Sequence, residues 1–416
     1  MNDSSPAAPM LSWLGLATIW FGGMISIPSL LIGSTLIAGL GFWDTLLAAA
    51  IGCAVVGTYM SLESIAAVEQ RRDTVALAAS AFGGSGARIV VGLALGISLL
   101  GWFGVQSALA GASAARILQI SLGWSVAPQL ASVALGLFMM LSAAFGFKWL
   151  KWLNYLAVPC KIALVGFAVY MALKANSFAE VAAYRPAPGA RMDMMTAVGI
   201  AIGFFAVGGV IAPDYARHAK DRRAAVLGSL LGLMPAALGL AACGAMLAIF
   251  QHTYDIVDIY ARLGMPLLAL SVLILATWTT NVMNAYSSGL AITQVLGWPD
   301  SRRRLATLLA GSAGALLAGA GILDNFMGFL MVLTVTIPPI AGVLVGDYWL
   351  ARSFVRDGHR AFRWQGLLAW SCGVAVMLLA SHPLKNVLGI VVSALAYWAF
   401  TALSRHRTPG PLPTRP

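Results

Sequence analysis

Trp20-Phe21-Gly22-Gly23-Met24-Ile25-Ser26-Ile27-Pro28 lies inside the first long apolar run of the chain. Phe205-Ala206-Val207-Gly208-Gly209-Val210-Ile211-Ala212-Pro213 lies at the edge of another, near mid-chain. Each stretch ends a Gly pair four or five residues before a Pro. Glycine weakens a helix and proline removes a backbone donor, so the pattern predicts local unwinding in both. Unwound backbone at membrane depth is tolerated only where it lines a cavity or is buried in protein. Two interrupted helices at corresponding places in two halves of a chain point to a transporter binding site at the bilayer midplane. Two ordinary Gly/Pro kinks would leave the same signature, since both residues are common in membrane helices.

The 416 residues are 60% hydrophobic and 10% charged, with a mean hydropathy of +0.84. This composition excludes a soluble globular domain and identifies an integral membrane protein. At ~20 apolar residues per crossing the chain holds about 12 spans. Their cores lie near 11–37, 43–66, 88–113, 126–147, 152–173, 194–212, 224–250, 264–290, 305–322, 326–349, 364–380 and 386–403. The connecting loops are short, so a single membrane domain is expected. The first ten residues lack a basic cluster, and no cleaved signal peptide is expected. The tail Arg405–Pro416 is basic and Pro-rich and reads as disordered.

A net charge of +11 would suit a nucleic-acid partner, but its distribution speaks against one. Alternate loops, with Arg88 and the tail, hold 19 of the 26 Lys and Arg residues. The opposite loops hold Arg116, Lys174, Arg185, Arg191, Arg262 and Lys385, and Lys161 falls inside a span. This asymmetry predicts that both termini are cytoplasmic, in a cell inner (plasma) membrane. The four cysteines stand alone in apolar stretches, without metal or disulfide spacing. All five His fall in loops or the tail, and no carboxylate sits at a membrane centre, which weakens a relay of Asp, Glu and His. No intramembrane metal or nucleophile motif supports an enzyme, and no phosphate-binding loop supports ATP-driven pumping. Glu63, near the end of the second span, and Asp324 acquire no role.

Three constellations can form a site. In Gly101-Trp102-Phe103-Gly104-Val105-Gln106, Trp102 and Gln106 share one helix face. An indole plane beside a carboxamide suits a flat, hydrogen-bonding heterocycle, although a Gln that bridges helices beside an interfacial Trp has the same spacing. In Ala276-Thr277-Trp278-Thr279-Thr280-Asn281-Val282-Met283-Asn284, Ala276, Thr279 and Thr280 lie on one face. Two hydroxyls and a carbonyl there can ligate a small hard cation, and Asn281 and Asn284 can face a substrate. Either Thr alone can instead back-bond to its own helix. Phe204 and Phe205, just before Gly208-Gly209, offer a second aromatic surface opposite Trp102. Lys161 sits about seven residues into the fifth span, or ~10 Å by helix rise. It either carries a coupling proton, or occupies the place of a cation, or snorkels to the surface.

These residues carry a resemblance to the nucleobase–cation symport family, in its cytosine-permease branch. The matching segments are Gly101-Trp102-Phe103-Gly104-Val105, Trp278-Thr279-Thr280-Asn281 with Tyr286 and Ser288-Gly289-Leu290, Asn325-Phe326, Ile337-Pro338-Pro339, Gly346-Asp347-Tyr348, and Pro213-Asp214-Tyr215-Ala216-Arg217. The resemblance implies an all-α LeuT-type fold: a 5+5 inverted repeat (11–173 and 194–349), two extra C-terminal helices (364–403) and the tail 404–416. It implies a base held between Trp102 and Phe205. Gln106 and Asn281 would be its polar partners, with Phe204, Gly208 and Asn284 nearby. It also implies a sodium ion held by carbonyls near Gly23, Ser26 and Ala276 and by the hydroxyls of Thr279 and Thr280. This chain departs from the pattern at Leu99, where a Gln is usual, at Val282-Met283, where an acidic residue and Asn are usual, and at Phe204. Lys161 is also unexpected at its position.

The expectation is a secondary active permease, not an enzyme. It would import cytosine or a similar nucleobase as a monomer by cation symport, with Na+ as coupling ion and H+ through Lys161 as the alternative. A same-fold transporter of hydroxymethylpyrimidine, a purine or a hydantoin stays open, as does a facilitative channel or sensor.

Overall fold

A computed structural model describes residues 10–145, 147–175, 177–262, 266–353 and 361–407. The end of the basic tail, beyond Arg407, lies outside the described residues; Arg405–Arg407 continue the last helix instead of starting a disordered segment. Among the described residues the chain is helical, with one isolated bridge between Leu11 and Ala219.

The first predicted break is present. Helix α1 (Trp13–Met24) is capped by the Ser12 side chain, and α2 (Ile27–Ile37) leaves it at a bend of 61°. The cause is local. The Met24 carbonyl would normally accept from residue 28, which is Pro28 and has no N–H. The Ser29 hydroxyl and the Ser26 amide, both at 2.7 Å, take its place. Pro28 itself sits in the first turn of α2, where a missing donor costs nothing.

The chain continues through α3 (Phe42–Gln70), α4 (Thr74–Phe82), α5 (Gly84–Leu122), α6 (Pro128–Phe145), α7 (Phe147–Ala175) and the short α8 (Phe178–Ala183). Then come α9 (Met194–Val210), α10 (Ala212–Ala216), α11 (Arg222–Gln251), α12 (Ile256–Ala261) and α13 (Pro266–Val295). The last are α14 (Arg303–Gly319), α15 (Phe326–Thr336), α16 (Pro338–Val345) with a π-helical turn at Gly346–Ala351, α17 (Trp364–Leu379) and α18 (Lys385–Arg407).

The second break is shallower than expected. Gly208 and Gly209 stay helical, and only Ile211 interrupts α9 and α10, which together make one apolar span, Met194–Ala216. Gly209 serves close packing: a Cβ there would strike Tyr59 and Val56 of α3. The carbonyls of the last α9 turns are satisfied from outside the helix, by the Tyr59 hydroxyl on Ala206 (3.2 Å) and the Thr74 hydroxyl on Val210 (3.1 Å). The third interruption, between α15 and α16, falls at Ile337-Pro338, again with Pro opening the second helix.

Among the described residues seven helices are long and apolar enough to cross a membrane, and the bent pair α1–α2 makes an eighth by the same test. Pro128–Ala144, Pro159–Met171 and Trp364–Leu379 are shorter apolar stretches. Helix α5 has 39 residues, well beyond the expected 88–113. Its C-terminal extension carries Arg116 to Asp258 of α12 (3.9 Å).

Two family-like motifs have packing roles. Asp347 is buried and accepts hydrogen bonds from Ser80, Ser353 and Tyr397, which ties α4 and α18 to the end of α16. Asp214 accepts from the Thr74 amide at 2.9 Å, and Asp73 pairs with Arg217 at 3.0 Å, so α10 is anchored to the start of α4.

Helices α2 and α11 touch through glycine. A Cβ on Gly33 would strike the backbone at Ala241, and one on Gly244 would strike the backbone at Leu30. Small residues at such crossings let membrane helices approach closely. Gly244→Leu is expected to destabilise the fold by at least about 1–3 kcal/mol, the cost of overpacking. Thermal unfolding of the purified variant in detergent checks this; an unchanged transition would refute the close contact.

Candidate functional site

A cavity of ≈ 480 Å³ opens between the α1–α2 break, α5, α7, α9–α10 and α13. It gathers most of the residues singled out from the sequence. Trp102 and Gln106 reach it from α5, Lys161 from α7, Phe204 and Gly208 from α9, and Thr279, Thr280 and Asn284 from α13. Gly23 and Ser26 reach it from the break. The interruption in α1–α2 therefore lines a cavity, as the exclusion of unsatisfied backbone from lipid requires.

Three expected residues are not part of this lining. Phe205 is 2% exposed and stacks edge-on behind Phe204 at 4.8 Å. Phe204 is the ring that meets Trp102, at 5.3 Å and 89°. Successive helix positions point about 100° apart, so only one of the Phe pair can face α5. Asn281 is also turned away. Its amide nitrogen donates to the Phe103 carbonyl at 3.1 Å and to the Ser107 hydroxyl at 2.9 Å, clasping α13 to α5. Ala276 lies one turn below the cavity, and its carbonyl accepts from both Thr279 (2.9 Å) and Thr280 (3.3 Å). That carbonyl is thus occupied by the back-bonding that the sequence left open as an alternative.

The polar chemistry of the cavity is unfinished. Gln106 Oε1, Asn284 Nδ2 and Trp20 Nε1 are buried side-chain atoms without a hydrogen-bond partner, and all three residues line the same cavity. An unmade bond at a buried polar atom costs about 1–3 kcal/mol. A concave site with aromatic walls and a few convergent unpaired polar groups is the usual form of a small-molecule site. Trp20 stood in the opening motif but received no role from the sequence. Its position beside the glycine pair was the available signal. It packs edge-on against Tyr215 of α10 at 5.2 Å, across the cavity rim. Ser29, Met283 and Ser287 also line the cavity without having been singled out as site residues.

Trp102 is further held by Phe329 (5.5 Å) and Phe326 (6.0 Å) of α15. This fixes the indole on two sides and gives the Asn325-Phe326 motif a part in the site. Oxygen groups of the kind that suit a monovalent cation are also part of the lining. They are the hydroxyls of Thr279, Thr280 and Ser26, with the Ser26 and Ser29 hydroxyls 3.2 Å apart, and the backbone at Gly23. Neutral oxygen donors of this kind fit a hard cation and not a thiophilic metal.

Lys161 is the central residue of the 29-residue α7 and lies near the start of its apolar stretch, Pro159–Met171. It is 5% exposed, and no partner for its ammonium lies among the described residues. Two residues earlier, Pro159 sits within the helix. Glu63 is buried as well, with neither carboxylate oxygen partnered, and it does not line this cavity.

Residues 10–399 match the family described as permease for cytosine/purines, uracil, thiamine, allantoin. The cytosine permease of Escherichia coli K12 is 28% identical over 402 residues, covering 95% of this chain and 92% of that protein. The hydantoin permease of Microbacterium maritypicum is 24% identical, covering 92% and 82%. Among solved structures, Mhp1 in an inward-facing conformation superposes with a TM-score of 0.81 at 22% identity, covering 97% of this chain and 94% of Mhp1. A Na+-coupled sialic acid symporter superposes at 0.61 with 11% identity, covering 94% and 90%.

The geometry separates packing residues from ligand-facing ones. Asn281→Ala is expected to lower the stability of the ligand-free protein by about 1–3 kcal/mol, because it removes both hydrogen bonds that clasp α13 to α5 and takes a donor from the buried Ser107 hydroxyl. Gln106→Ala removes an oxygen that bonds nothing and is expected to leave that stability unchanged or raised. Thermal unfolding of the two variants in detergent decides; the reverse order would move Asn281 into the ligand site.

Proposed function

Because the chain belongs to the family of permeases for cytosine/purines, uracil, thiamine and allantoin, we propose that its central cavity binds one flat nitrogen heterocycle and carries it across the membrane by cation symport. The observation that carries this reading is the convergence of unpaired polar atoms from Trp20, Gln106 and Asn284 on one aromatic-walled cavity. The ring lies against Trp102 and Phe204, and its edge takes up the unsatisfied groups. The names of the relatives, cytosine and hydantoin permeases, mark the class of ring.

In this proposal the chain crosses the inner membrane 12 times, with both termini cytoplasmic, and functions as a monomer. Spans 1–5 and 6–10 form two inverted repeats. Ile19 and Trp20 of α1, with Ile211 and Tyr215 at the end of the sixth span, belong to the cavity lining. Substrate and cation bind together in the outward state, and rocking of α1–α2, α3, α9–α10 and α11 against the remaining helices exposes them to the cytoplasm. The coupling is the difference in cation affinity between the two states.

Sodium is the proposed coupling ion. The Thr279, Thr280 and Ser26 hydroxyl oxygens and the Gly23 carbonyl would hold it, and the back-bonds of both threonines to Ala276 leave their hydroxyl lone pairs free to ligate. Lys161 supports the second reading, proton coupling, because its ammonium, without a partner among the described residues, shares the cavity.

Uptake of radiolabelled cytosine into proteoliposomes, driven by an inward sodium or proton gradient, tests both for the wild type and Lys161→Ala. Sodium-driven accumulation that survives in Lys161→Ala but is lost in Thr280→Ala is the expected result. Proton-driven accumulation that disappears in Lys161→Ala would transfer coupling to Lys161. Uptake that only equilibrates under every gradient would replace symport with facilitated passage.

A further inference from the structure

We propose that the heterocycle this cavity favours is an acidic one, bound as its anion, with Lys161 as the counter-charge. The inference rests on the cavity being the transport site argued above. Lys161 lies at the centre of α7, is 5% exposed and lines the cavity. No carboxylate is among the described residues of that lining. An unpaired ammonium in a low-dielectric site is among the costliest groups a membrane protein can hold, and it persists where something compensates it. With no acid among the described residues of the lining, the compensating charge comes with the ligand.

The remaining unpaired atoms agree. Besides the three N–H donors of Lys161, the cavity offers Trp20 Nε1 and Asn284 Nδ2 as buried donors and Gln106 Oε1 as the buried acceptor. Among these groups donors outnumber acceptors, and the hydroxyl lone pairs of the lining are those assigned to the cation above. A neutral aminopyrimidine brings an amino donor beside its ring acceptors, which leaves part of that donor set unmatched. The anion of a ring imide, or a ring bearing a carboxylate, presents acceptors along most of its edge and keeps a ring N–H for Gln106. Trp102 and Phe204 restrict the class to flat rings and disfavour small inorganic anions. A charge-assisted bond from Lys161 would then hold the anionic edge.

Calorimetric titration of the full chain in detergent at pH 7.5 tests this, with urate and orotate as anionic probes and cytosine and uracil as neutral ones. Wild type, Lys161→Met and Lys161→Arg are compared. The expected result is that urate or orotate binds at least about tenfold tighter than either neutral base, that Lys161→Met removes about tenfold or more of the anion affinity while leaving the neutral bases largely unchanged, and that Lys161→Arg retains part of it. If Lys161→Met does not fold, the wild-type ranking and Lys161→Arg decide. Neutral bases binding as tightly as the anions, or anion affinity unaltered by the loss of Lys161, would overturn the anion assignment and leave the transport site standing. Binding of none of the four to folded wild type would overturn the transport site as well.

Discussion

The structure depends on one constraint: a backbone carbonyl at membrane depth must find a donor. At Met24 the helical donor is missing because residue 28 is proline, and the Ser29 hydroxyl and Ser26 amide replace it at 2.7 Å. That local repair turns α2 by 61° from α1 and leaves the backbone around Gly23 and Ser26 facing inward. Lipid cannot cover such a turn, so other helices must. The helices that do so, α5, α7, α9 and α13, bring Trp102, Lys161, Phe204 and Thr279 to the same cavity. The site is thus a consequence of where one helix is forced to stop.

Much of this was legible in the sequence, and the misses have physical causes. The first break was readable because Pro28 removes one specific donor, that of the Met24 carbonyl, while Gly22 and Gly23 themselves stay helical. The second was overread. Gly208-Gly209 carries the same letters, but Gly209 is small because Tyr59 and Val56 press on it, and the helix runs on to Val210. A glycine in a membrane helix serves either conformation or contact, and one sequence does not distinguish them. The division between Phe204 and Phe205 depends on helix rotation, which a stretch without amphipathic contrast does not reveal. Asn281 was read as a ligand because a polar residue stood in an apolar span. It proved to be a clasp between α13 and α5, a role that needs the neighbouring helix to be seen.

The charged residues divide along a similar line. Asp347 and Asp214 lie in motifs shared with the family, and both accept hydrogen bonds from α4 that hold helix ends in place. They position the scaffold and do not face the cavity. Lys161 departs from the family-like pattern, and it has no such role. It lines the cavity, and no partner for its ammonium lies among the described residues; in the proposal above its charge selects the ligand.

The most direct measurement is a crystal structure of the full chain grown with 5-bromouracil, with the bromine located by its anomalous signal. The account predicts a single strong peak inside the ≈ 480 Å³ cavity, beside Trp102 and Phe204 and within reach of Gln106. A bromine bound elsewhere in the bundle, with Gln106, Asn284 and Trp20 still unpaired around an unchanged cavity, would contradict it.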